Sequence, residues 1–204
     1  MSKVSNSPVF QLVAGHAALD FVNTLDWRFR PGDPEELLTS YESLLRFAAQ
    51  SELITAKQAR RLLRATSGSD AKRVLAESKE LREALAEVFY AGLDGSVPDP
   101  GPLKILERYI KAARSHQKLR CKKMGLTWKW PELDSNPEIP LWLLSSGAAE
   151  LMLSDDARRV RACNSPECRW LFLDTSKNHT RRWCDMRICG NRMKARRFKA
   201  QHQG

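Results

Sequence analysis

The 204 residues include 34 Lys and Arg against 24 Asp and Glu, a formal charge of +10, with 42% hydrophobic and 28% charged residues. That balance excludes an intrinsically disordered chain, which is poorer in apolar residues. No apolar run approaches the roughly 18 to 20 residues needed to cross a bilayer, and MSKVSNSPVF lacks the charged-then-apolar order of a leader, so no membrane partner is expected and the expected location is the cytoplasm.

The charge is unevenly placed. Residues 158–204 hold 13 Lys and Arg against three acids, while residues 1–157 hold 21 of each sign. A neutral body joined to a basic tail predicts two parts with different partners, and a polyanion is the natural one for the tail.

In chain order, PVFQLVAG (8–15) reads as a short strand and AALDFVNTLDWR (17–28) as a helix. Helical spacing recurs over residues 37–53, and TAKQARRLLRAT opens with Thr55 and Gln58 in capping-box register. Val74, Leu81, Leu85, Val88 and Phe89 mark a long amphipathic helix over 70–92, ended by GLDGSVPDPGP. The stretch 101–123 reads as another helix with Leu103, Leu106, Ile110 and Ala113 toward the core. LTWKWP alternates like a strand. From Pro140, Leu141, Leu144, Ala148 and Leu151 resume a 3.6-residue period. The expected architecture is mainly α: a helical N-terminal domain with short extended segments (1–156), joined through SDDARR to a small C-terminal unit (157–204).

The cysteines are spaced C-x4-C-x15-C-x4-C, from Cys163 and Cys168 to Cys184 and Cys189; in a reducing compartment such pairs read as metal ligands or redox groups rather than structural disulfides. A tetrahedral Zn²⁺ takes four thiolates at about 2.3 Å, and short loops present two at a time. CNSPEC is rich in turn formers and fits a knuckle between the strands RRVRA and WLFLD. The second pair is harder: residues five apart on a regular helix are about 140° apart around the axis. CDMRIC is therefore expected to be a turn around the metal, with a helix starting near Gly190 and Asn191 as its N-cap. Knuckle, hairpin, turn and helix make a treble-clef-like zinc finger. Four thiolates close the shell, so the single Zn²⁺ is read as structural. His179 is read as an exposed loop histidine, and Cys121 as a buried or idle thiol. The rival readings are a redox switch that releases metal and four unrelated thiols. A unit this small cannot stabilise itself by burial, whereas structural zinc contributes on the order of 10 to 16 kcal/mol in finger peptides. Chelation is expected to unfold the tail and spare the body.

In a helix from Asn191, Arg192, Arg196 and Lys199 form one stripe, flanked by Lys194 and Arg197. Guanidinium forks in such a stripe suit phosphates or the edge of guanine. Asn191, Ala195 and Phe198 are expected to pack back on Trp170 or Trp183. Filling the site brings the formal charge to about +8, still strongly basic.

The stretch from Cys163 to Lys199, with CNSPECRWLFLDTSKN and RRWCDMRICGNR, resembles the CGNR zinc-finger family, named for Cys189-Gly190-Asn191-Arg192. Upstream, GHAALDFVNTLDWR resembles the signature of the ABATE domain that usually precedes this finger. The resemblance implies a bacterial, stress-induced transcriptional regulator.

The body shows no phosphate-binding glycine loop, no HExxH and no G-x-S-x-G, so the chain is read as a non-enzyme. His16, Asp20, Asn23 and Thr24 lie within an apolar helix as packing and capping groups or as the lining of a small-molecule pocket. The leading expectation is a DNA-binding regulator whose body senses an effector or forms a homodimer. The alternatives are a small-molecule-binding protein or enzyme with the finger as a structural or protein-contact module, and RNA binding.

Overall fold

A computed structural model describes residues 10–32 and 34–202. Its N-terminal region is mainly helical with short hairpins, and its C-terminal region is a hairpin followed by a helix. The helices are α1 (Ala17–Val22), α2 (Tyr41–Gln50), α3 (Ala56–Ala65), α4 (Gly68–Leu93), α5 (Pro100–Ser115), α6 (Ile139–Leu153) and α7 (Asn191–His202). Three antiparallel hairpins join β1 (Leu25–Asp26) to β2 (Glu35–Glu36), β3 (Lys118–Lys122) to β4 (Gly125–Lys129), and β5 (Val160–Ala162) to β6 (Leu171–Leu173).

Helix α6 is the central element. Ile139, Leu141, Trp142, Leu144, Ala148, Ala149 and Leu151 are all buried, and α1, α2, α4 and α5 pack around it. Pro140 sits in its first turn, where a missing N–H costs nothing. Ser40 and Ser43 form a capping box on α2, and Thr55 and Gln58 form the expected one on α3, satisfying amides that have no intrahelical partner.

The structure departs from the sequence reading in several places. Residues 10–15 form no strand, and 8–9 lie outside the described residues. Helix α1 stops at Val22, because Asn23 becomes its C-cap and sends its side chain elsewhere; Trp27, at φ +53, lies beyond any helix. Helix α5 ends at Ser115, and the residues expected to continue it are strand β3. Leu103 is 44% exposed instead of facing the core, and Cys121, read as a buried or idle thiol, lies exposed on the hairpin.

The segment after α1 is pinned to α4 by buried charge. Arg82 forks onto Glu36 at 2.7 and 2.8 Å and reaches Thr24 Oγ1 at 3.3 Å, while Arg28 pairs with Glu83. Burial disfavours the charges, but Arg82 holds the Glu36 carboxyl below its usual range. A lone charge left here would be costly, so the network fixes the path of β1–β2 more than it adds stability.

Candidate metal centre and nucleic-acid interface

All four cysteines of the spaced pairs are buried, and their sulfurs lie within 4.8 Å of one another. Cys168 and Cys184 are 3.8 Å apart, and Cys184 and Cys189 are 3.6 Å apart. Those separations are far beyond a disulfide bond. They match the edge of about 3.8 Å that a tetrahedron with 2.3 Å arms requires. Four ionised thiols at this spacing repel one another. Hydrogen bonds from Cys168 and its neighbours push the Cys163 thiol down, and the bond to Cys163 pushes Cys168 up. A divalent, thiophilic cation resolves the conflict by taking all four as thiolates, and the donor set fits Zn²⁺ with no open position. His179 is exposed, its ring on the Asp174 carbonyl, and takes no part in the cluster.

The local chain explains the convergence. Cys168 and Arg169 donate their amides to Ser165 O, closing the first knuckle, with Arg169 at φ +48. Cys163 donates to Trp170 O across the hairpin. The second pair uses a widened turn, Met186–Gly190, in which Gly190 N donates to Asp185 O five residues back. This π-type turn brings positions five apart close together, which a regular helix cannot do. It leads directly into α7, so the helical path starts at Met186, not near Gly190. Asn191 is consequently no N-cap: Asp185 fills that role, accepting from Arg187 N at 2.6 Å. A Cβ at Gly190 would sit 2.5 Å from Met186 Sδ and 3.3 Å from Trp183 Cδ1, so the Met186 side chain would have to swing away and Trp183 give slightly.

Residues 15–155 match the ABATE family, described as a putative stress-induced transcription regulator. The chain belongs to the ABATE family. Residues 159–202 match the CGNR zinc finger, in agreement with the sulfur geometry and with one bound zinc. A search of curated proteins finds no match. No helix among the described residues is long and apolar enough to cross a membrane.

In this ABATE chain Asp20, Asn23 and Thr24 of the signature segment are buried, and His16 is half-buried at the head of α1. Asn23 reads the finger's main chain: its Nδ2 donates to Leu171 O and its Oδ1 accepts from Leu171 N, both at 2.9 Å. Asp20 Oδ1 accepts from Ala14 N at 3.0 Å, and burial pushes its carboxyl up to about 6. Thr24 donates to Phe21 O and accepts from Arg82, and His16 Nδ1 accepts from Ala18 N to cap α1. Burial lowers the His16 pKa, favouring the neutral ring this cap requires.

The same signature segment seats the finger at further points. Trp170 Nε1 donates to Asp26 Oδ1 at 2.9 Å, and Leu173 N donates to Ala14 O at 2.7 Å. Gly15 takes φ +76, which L side chains rarely adopt; a Cβ there would meet Leu173 Cβ at an ordinary 3.7 Å, so backbone conformation rather than space calls for glycine. Tyr90 donates to Arg169 O, and Arg169 lies over Phe29 and Tyr90. Arg181, which the sequence reading did not single out, lies over Phe172 and donates to Val13 O, Trp183 O and Cys184 O. Asp174 is buried; the cost of burial is outweighed by hydrogen bonds from Ser176 and Arg181, which keep its carboxyl below the usual range. The finger is thus no separate appendage: Leu171 and Phe172 join the core of the body.

Helix α7 presents its bases differently from the expected stripe. Arg192 stacks on Trp27, 4.7 Å from the ring centre, and Arg196 pairs with Glu167 at 3.0 Å. Both turn toward the protein. Lys194, Arg197 and Lys199 are exposed and make no ion pair among the described residues. Asn191 and Ala195 are exposed as well, and Phe198, 61% exposed, stacks on His202 instead of packing on Trp170 or Trp183.

Proposed function

We propose that this ABATE protein regulates transcription by binding DNA through α7, with zinc fixing where and in which direction that helix leaves the finger. The supporting observation is the launch of α7 directly from the turn that carries Cys189, with Lys194, Arg197 and Lys199 facing solvent. A helix anchored at its first turn holds cations in fixed positions, so less freedom is lost on contact with phosphates. The division of labour is between residues 1–156 as a sensing or dimerising body and 157–204 as the DNA-contacting unit. Arg192 and Arg196 hold the helix against the protein, and Asn191 lies exposed at its start.

The test is retention on duplex DNA at low salt by the triple variant Lys194→Glu, Arg197→Glu, Lys199→Glu. Binding is expected to be lost while zinc content stays at one per chain. Unchanged retention would overturn the reading. Competition by single-stranded and duplex RNA decides between DNA and RNA.

A further inference from the structure

The β3–β4 hairpin is the least covered part of the fold. It pairs Lys118 with Lys129, Leu119 with Trp128, Arg120 with Thr127 and Cys121 with Leu126. Since alternate residues point to opposite faces, Lys118, Arg120, Lys122 and Lys129 share one face, and Leu119, Cys121, Leu126 and Trp128 share the other. Both faces are in solvent: Leu119 is 59% exposed, Leu126 69% and Trp128 52%. Residues 117–131 contain five bases, including Lys123 at the turn, and no acid. They are a second basic pole that the neutral total of the body conceals, for the rest of residues 1–157 holds 16 bases against 21 acids.

Such a hairpin is badly provided for on its own. Two strands with neither face covered are marginal in water. Lys118 directly opposite Lys129 is a like-charge pair that weakens the ladder further. An anionic partner lying on the basic face covers that face and relieves the like-charge repulsion across the ladder. We infer that this hairpin is a second contact to the backbone of duplex DNA, resting on the reading of α7 given above.

Placement supports a shared polymer. The root of the hairpin is fixed where His116 stacks on Trp142 and Arg73 of α4 pairs with Glu138, whereas the finger meets α4 at Tyr90. Seventeen residues of helix separate those levels by about 25 Å, which is within one turn of B-form DNA. Two other occupants fit less well. A second copy would bring five bases against five. A bilayer that took up Leu119, Leu126 and Trp128 would turn Lys118, Arg120 and Lys129 away from the headgroups.

The experiment titrates the full-length, zinc-loaded protein against a duplex of about three helical turns over a range of salt. It compares wild type with a hairpin variant (Lys118→Gln, Arg120→Gln, Lys122→Gln, Lys129→Gln) and a finger variant (Lys194→Gln, Arg197→Gln). All substituted side chains are exposed, and equal zinc content and thermal midpoint certify folding. The hairpin variant is expected to lose about tenfold or more in affinity, and its log–log salt slope to fall by about 2 or more, since each neutralised phosphate contributes about 0.9. An unchanged slope, with binding lost only in the finger variant, overturns the hairpin contact and leaves the α7 reading intact. No duplex binding by wild type removes both. Hairpin-dependent capture by phosphatidylserine-containing vesicles, with an unchanged DNA slope, assigns the surface to a membrane and overturns the inference.

Discussion

The body and the finger solve the same problem, holding a few elements in one geometry, with different materials. Around α6 the body buries a continuous apolar core, and its geometry follows from side-chain volume. The finger has two three-residue strands, a knuckle and a turn, and relies on four sulfurs within 4.8 Å of one another. Yet the two share a boundary, in which the Leu171 and Phe172 side chains enter the core of the body and main-chain contacts are made at Leu171, Leu173 and Arg169. The comparison teaches that metal shapes the finger, while the body holds it in place.

The largest expected effect comes from removing the metal. Chelation, or Cys184→Ser, is expected to expose residues 160–190 to hydrogen exchange and also to loosen α1, whose Asn23 loses its partner. This revises the expectation that the body is spared. Full protection of the finger after stoichiometric zinc loss would break the distinction between the two halves.

Next is Asn23→Ala, which leaves a buried N–H and a buried C=O of Leu171 without partners. At about 1 to 3 kcal/mol for each group, the expected loss is about 2 to 6 kcal/mol in urea unfolding. A loss below about 1 kcal/mol would mean that the finger is seated by apolar contact alone.

Asp20 sharpens the picture through pH. Its folded-state value of about 6 lies above the ordinary 3.8, so the native state binds this proton more tightly than the unfolded chain. From this group stability rises as pH falls from about 6 toward 4, and above 6 the buried charge costs on the order of 3 kcal/mol. Asp20→Asn keeps an acceptor for Ala14 N, so it is expected to stabilise the protein at pH 7.5 and flatten the profile between pH 4 and 6. Denaturant midpoints at pH 5 and 7.5 measure both, and a destabilised variant at pH 7.5 would refute the argument.

The smallest effect is expected from Arg192→Ala. Its stacking on Trp27 contributes about 0.5 to 1 kcal/mol, as a partly exposed cation over an indole does. A double-mutant cycle with Trp27→Ala isolates that term. No coupling would show that α7 is oriented by the metal turn without help from the body.

How much of this was legible in the sequence follows from what each feature depends on. Helices α4 and α6 were readable because their burial repeats with the helical period, and the α3 cap because Thr55 and Gln58 are local partners. The metal ligands were readable from spacing and residue type alone. The π-type turn was only half readable: the sequence showed that a regular helix between Cys184 and Cys189 fails, but not that Asp185 O would close a wider one. Asn23, Asp26 and Trp27 appeared as helix positions because their partners, Leu171, Trp170 and Arg192, lie more than a hundred residues away. The inward turn of Arg192 was hidden for the same reason, and that of Arg196 because Glu167 stands 29 residues back, across the metal turn. Hairpin β3–β4 was missed as a unit because its first strand follows α5 with no breaker, and a charge-rich stretch such as KLRCKK satisfies either period.

The grip of Asn23 on Leu171 is indifferent to which side chain stands at position 171, because it touches only peptide atoms. Those hydrogen bonds tolerate exchange, but a replacement finger would also need apolar side chains where Leu171 and Phe172 enter the core of the body. Residues on the outer side of the finger can therefore vary without disturbing the joint beneath it.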